Sequence, residues 1–161
     1  MFALIFIIAY CLLYLTLGYL FPAFFTGAWS VNRRSTLSSL VLIIIATIII
    51  FSITTKIQDP LLENRLQHAL GGGFLSFFIC FLAWRSSGVI INRFQFFFFS
   101  FLFVITLGVA NEILEYFLQN YYSFHFAGTI NDTWLDLLSN IIGIFIASVI
   151  FLPWIKKNKG G

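Results

Sequence analysis

Charge is what this sequence has least of. Only 9% of its 161 residues are Asp, Glu, Lys or Arg, where an ordinary globular chain carries about a quarter, and that scarcity excludes a soluble domain. Cysteine is nearly absent too. Cys11 and Cys80 both fall inside long apolar runs that offer neither a structural disulfide nor a zinc-ligand spacing, so nothing points to thiol redox chemistry. The one glycine run, at positions 71–73, sits inside an apolar stretch with no strand before it and is not a phosphate-binding loop. No serine, cysteine or lysine stands out as a nucleophile, and no internal repeat or polar linker is visible. The first apolar run lacks a basic leader and a small-x-small site after it, and its apolar core is too long for a cleaved signal. It reads as a retained helix.

What is present is apolar: 60% of the residues are hydrophobic, 20% are aromatic, and the mean hydropathy is +0.99. A helix crossing the hydrocarbon core needs roughly 20 such residues, with every backbone polar group satisfied within the segment. Five runs qualify, at 2–21 (ending at Pro22), 37–53, 66–84, 94–118 and 134–154. The expected fold is all-α, a polytopic transmembrane bundle of about five spans forming one domain over 1–155, with a basic, disordered tail at 156–161. The phenylalanines at 96–99 are expected to face lipid.

Because loops alternate sides, the basic residues can be sorted. Arg33 and Arg34, Arg85 and Arg93, and Lys156, Lys157 and Lys159 place seven of the nine on one side. By the positive-inside rule that side is cytoplasmic, with the N-terminus outside and the C-terminus inside. Trp29, Trp84 and Trp154 then mark the inner interface and Trp134 the outer one. The net charge of +3 is thus mostly a topology signal and does not call for a nucleic acid partner.

The acids do the opposite. Asp59, Glu63, Glu112, Glu115, Asp132 and Asp136, with His68 and His125, all fall on the outer half, which topology rules do not require. On span four, Gly108, Asn111, Glu112, Glu115 and Gln119 recur at helical spacing. With the span ending near Leu118, Glu112 lies about 9 Å inside that end. On span five, Asp132, Asp136, Asn140 and Gly143 make a second stripe; on span three, Arg65, His68 and Gly72 share a face. Small residues on these stripes permit close helix approach. The three faces are expected to meet in one outward-opening polar site.

Several of these residues also have purely structural readings. Asp59 before Pro60 is a helix start signal. Thr133 with Asp136 fits a capping box, and Asp132 can itself cap the fifth helix. Glu63 reads as a solvated residue paired with Arg65, which can be simply a counter-ion, and His125 as an interfacial loop residue. Glu112, Glu115, Asp136 and His68 lie within or at the edge of apolar spans, where an ionisable residue marks a functional site by default. The alternative is a hydrogen-bonded network holding three helices together.

Carboxylates with one histidine and no thiolate make a hard or borderline ligand set, suited to Mg²⁺, Mn²⁺, Ca²⁺ or Zn²⁺. Converging acids must bind a cation or hold protons. Glu112, Glu115, Asp136 and His68 are therefore the candidate metal ligands and catalytic groups, with a carboxylate or His68 as general base in a metal-assisted hydrolase. Arg65, Asn140 and Asp132 are the candidate substrate-binding residues.

The segments NRLQHALGG, NEILEYFLQ and GTINDTWLDLLSNIIG together resemble the small membrane proteins of the YjdF-like and VanZ-like families. Arg65 and His68 match an Asp-Lys/Arg-x-x-His motif, Glu112 and Glu115 a Glu-rich helix end, and Asp136, Asn140 and Gly143 an Asp-x-x-x-Asn-x-x-Gly tail. The likeness covers the C-terminal three spans; the stretch 128–134 is closer to YjdF-like members. Asn64 stands where the motif has Asp, so either Glu63 substitutes or part of the site is lost, and Glu115 stands where VanZ-like members often have Gln. The resemblance implies an integral protein of the bacterial envelope, in the cytoplasmic membrane, and VanZ itself is associated with glycopeptide resistance.

Three functions fit this reading. The leading one is an outward-facing, cation-binding site that acts on or recognises a polar envelope group such as a lipid-linked phosphate. The others are proton or cation movement through Glu112 and Glu115, weakened by the lack of any acid in the inner half, and a non-catalytic subunit or assembly factor of a larger membrane complex.

Overall fold

In the computed structural model, which describes residues 2–27, 33–122 and 130–155, the five apolar runs become five helices long and apolar enough to cross a membrane. They are α1 (Phe2–Thr26), α2 (Arg33–Thr54), α3 (Pro60–Ser87), α4 (Arg93–Tyr122) and α5 (Ile130–Phe151), the last followed by a 3₁₀ turn, Leu152–Trp154. No strand occurs among the described residues. Trp29, His125 and the tail at 156–161 lie outside them.

The helices extend beyond the apolar runs wherever local chemistry supports it. α1 does not stop at Pro22 but runs on to Thr26. In an apolar setting, ending the helix would strand more backbone groups than the one donor that proline removes, and Thr26 Oγ1 donates to the Pro22 carbonyl at 2.8 Å. α3 begins as its start signal predicts: Asp59 Oδ1 accepts from the Leu61 and Leu62 amides at 2.9 and 3.4 Å, with Pro60 at the first helical position. It ends at Gly88, whose φ of +68° suits a residue without Cβ. A reciprocal capping box opens α4, in which the Gln95 amide donates to Asn92 Oδ1 at 2.8 Å and the Asn92 amide to Gln95 Oε1 at 3.0 Å.

α3 is the central helix: 50% of its apolar window is buried, against 17–22% for α1, α2 and α4. Its second half packs on α1 and its first half on α5. Between the two halves, His68–Leu75 is π-helical, flanked by α-helical Pro60–Gln67 and Ser76–Ser87. The glycines at 71–73 sit in this wider, looser stretch, which is where α5 comes closest. A Cβ on Gly73 would lie 2.9 Å from the Gly143 Cα, and one on Gly143 would lie 2.8 Å from both the Ala69 carbonyl carbon and the Phe74 amide nitrogen. The two backbones therefore touch, as small residues on facing membrane helices allow. Gly143→Ala should push α5 off α3 and lower stability by about 1–3 kcal/mol, the usual cost of overpacking. Unfolding of the purified protein in mixed micelles checks this, and an unchanged midpoint would show that the contact is not tight.

The phenylalanine run at 96–99 divides between lipid and core. Four consecutive helical residues point in four directions about 100° apart, so they cannot all face the bilayer. Phe98 is exposed, whereas Phe96 is fully buried, edge-on to Phe77 and packed on Phe21 and Trp84. Arg93 has a structural task besides its charge: Nε donates to the Ile155 carbonyl and Nη2 to the Pro153 carbonyl, both at 2.9 Å. These bonds fix the start of α4 to the end of α5, so the loop between α3 and α4 and the end of α5 lie at the same end of the bundle.

Candidate functional site

At the opposite end, α3 and α5 run into the bundle from their first turns while α4 runs outward, so equivalent depths can be matched by counting turns. His68, Glu112 and Asp136 form one layer. One turn deeper on each helix lie Gly72, Gly108 and Asn140. The three stripes predicted from spacing thus meet on one side of α3.

The outer half of the cluster is an ion-pair network. Arg65 Nη1 donates to Asp136 Oδ1 and to the Asp132 carbonyl, and Nη2 donates to Asp132 Oδ1. Asn64 Nδ2 lies 3.0 and 3.1 Å from the two carboxylate oxygens of Asp136. Asp136, only 2% exposed, is thereby held by a cation and an amide, as a buried carboxylate must be. Two local expectations are corrected. Glu63 does not pair with Arg65 but accepts from Gln67 Nε2 at 2.9 Å, one turn along its own helix. α5 begins at Ile130, so Thr133 and Asp132 lie inside its first turn rather than at its cap, and the Asp132 carboxylate is turned to Arg65.

The inner half is different. His68 stands between two acids, with Nδ1 3.9 Å from Glu112 Oε1 and Nε2 3.6 Å from Asp136 Oδ2, both too long for hydrogen bonds. Ligand atoms of His68, Glu112 and Glu115 lie within 4.8 Å of one another. Glu112 is only 8% exposed, and its Oε1 has no hydrogen-bond partner among the described residues. Glu115 is oriented by Asn111 Nδ2, 2.6 Å from its Oε1. Two carboxylates and an imidazole, drawn together with one buried oxygen left unsatisfied, offer nitrogen and oxygen donors of the kind that hold a divalent cation.

Below this layer, Asn140 is 3% exposed and clamped between two glycines. A Cβ on Gly108 would lie 2.8 Å from its Nδ2, and one on Gly72 would run into its Oδ1. That Oδ1, like Glu112 Oε1, is buried without a hydrogen-bond partner among the described residues.

All seven predicted site residues, Arg65, His68, Glu112, Glu115, Asp132, Asp136 and Asn140, come together on α3, α4 and α5. Asn64 stands where the motif has Asp, and its amide donates to Asp136, beside which a second carboxylate would repel.

No family model, curated protein or solved structure matches the chain.

Proposed function

We propose that the protein is a multi-pass membrane protein of the bacterial cytoplasmic membrane whose polar site binds a divalent cation and, through it, a phosphate-type group of the cell envelope. The observation that carries this reading is the buried, unpartnered Glu112 Oε1, 3.9 Å from His68 Nδ1, in a group of His68, Glu112 and Glu115 whose ligand atoms lie within 4.8 Å of one another. A lone buried carboxylate oxygen in an apolar bundle is costly, and a cation that drew the three donors in to about 2 Å would satisfy it. The Arg65 network then has a clear task. It neutralises Asp132 and Asp136 and holds Asp136 against His68, much as second-shell carboxylates orient ligating histidines.

Charge arithmetic supports a metal-bridged anion over direct anion capture. Two carboxylates pair with the Arg65 guanidinium and two more stand at His68 with no guanidinium of their own among the described residues, so a phosphate group would meet repulsion unless a cation lay between. Orientation follows from the basic residues: with Arg85, Arg93 and the lysines after residue 155 on the cytoplasmic side, the site opens outward and the N-terminus lies outside. The likeness of residues 64–143 to YjdF-like and VanZ-like proteins agrees with an envelope location.

Titration of the detergent-purified protein with Mn²⁺, read by electron paramagnetic resonance, should show one saturable site per chain that Zn²⁺ competes for. If no saturable Mn²⁺ or Zn²⁺ binding is found, the metal reading fails and the cluster is a helix-binding network.

A further inference from the structure

Beside the polar site a groove runs down the outside of the bundle between α4 and α5. Its cavity of about 410 Å³ is lined by Ile105 and Val109 on α4 and by Trp134, Leu138, Asn140 and Ile141 on α5, among other apolar groups. Two features connect it to the cluster. Asn140 belongs to both, because its side chain lies at Gly108 in the gap between the helices, with its Oδ1 buried and unpartnered among the described residues. The groove also points the right way. Val109 lies about 4.5 Å and Ile105 about 10 Å below Glu112 along the axis of α4, so it descends from the level of the site toward the middle of the bundle.

From this continuity, and resting on the cation reading above, we infer that the site's substrate is a membrane lipid with a phosphate headgroup, its headgroup at the cation-binding layer of His68, Glu112 and Glu115 and one hydrocarbon chain in the α4–α5 groove. In a membrane-spanning bundle, a groove with an apolar lining faces lipid chains rather than water. A polar site at its upper end converts a place that any chain can fill into one that selects a particular head. A water-soluble phosphate would use only the upper half, so the groove is what distinguishes a lipid-borne phosphate from a free one. The ligand arrives sideways from the bilayer, with Asn140 at the junction of head and chain.

The test is native mass spectrometry of the detergent-purified full chain loaded with Mn²⁺, with dioleoyl phosphatidic acid as the lipid probe and glycerol 3-phosphate as its chain-free counterpart. Phosphatidic acid should bind at least tenfold more tightly than glycerol 3-phosphate. Val109→Trp and Leu138→Trp, which fill the groove, should each weaken phosphatidic acid tenfold or more while leaving Mn²⁺ binding unchanged, and retained Mn²⁺ reports a folded site. Equal affinity for the two probes overturns the inference without any variant. So does phosphatidic acid binding that neither tryptophan weakens. If the unaltered protein binds no Mn²⁺, the cation reading itself falls and this inference with it, an outcome distinct from the other two.

Discussion

Replacing Glu112 with Gln is expected to weaken Mn²⁺ binding by about 100-fold or more, beyond the loss that follows when only an outer-shell partner of a metal ligand is removed. It should leave the melting temperature of the metal-free protein unchanged or raised. The two halves of this result come from the same atom. Glu112 Oε1 is buried and has no hydrogen-bond partner among the described residues, so in the absence of a cation this oxygen is desolvated with no bond of its own to compensate, although the carboxylate as a whole has a hydrogen bond with the Thr133 side chain. The amide keeps the shape of the acid and removes the charge, which lightens that cost while deleting the anionic ligand. A purely structural network predicts the reverse order, with stability falling first. Thermal unfolding with and without Mn²⁺, on wild type and variant side by side, separates the two. If Glu112→Gln unfolds the protein and a refolded fraction still binds Mn²⁺ normally, Glu112 is a packing residue and not a ligand.

The stripes on α4 and α5 were legible because a helix repeats every 3.6 residues and polar residues are rare here, so each acid at i, i+3 or i+4 stands out against an apolar background. The depth match of His68, Glu112 and Asp136 followed from the same counting. What periodicity could not show was the division of labour within the cluster. Arg65 has the same one-letter signal whether it faces Glu63 or Asp136, and only the packing of α3 on α5 turns it to the latter. Asn64 in place of the motif's Asp leaves two readings, substitution by Glu63 or partial loss of the site, because the sequence does not show the carboxylate that Asn64 faces across the helix pair. The π-helical stretch was also hidden. Three successive glycines lower helix propensity, but the sequence does not say whether a helix will break there, tighten or widen. The close approach of Gly143 and Asn140 to Gly73 accompanies the widening. Chain segments in α1 and α2 carry no such polar marks, and their role in burying Phe21 and Tyr14 came only from the three-dimensional arrangement.

The second large effect is expected at Arg65. Its guanidinium serves Asp132 and Asp136 together, and the Asp136 carboxylate is almost wholly buried. Arg65→Met keeps much of the apolar stem but removes the cation that neutralises two acids in a part of the bundle with little water. Removing one partner of a buried ion pair costs about 3–5 kcal/mol in general. Arg65 itself retains 21% side-chain exposure, so about 3 kcal/mol is the expected loss in unfolding by detergent titration. The network also makes a prediction about coupling. Asp136→Asn alone should destabilise the protein, because Arg65 then loses a carboxylate that Asn64 and His68 also face. In the Arg65→Met background the same change should stabilise it, because the unneutralised charge is gone. Contacting residues in one network are where such non-additivity is expected. Strict additivity of the two changes would mean that Arg65 and Asp136 do not act as a pair, and the account of Arg65 as the residue that positions Asp136 against His68 would have to be abandoned.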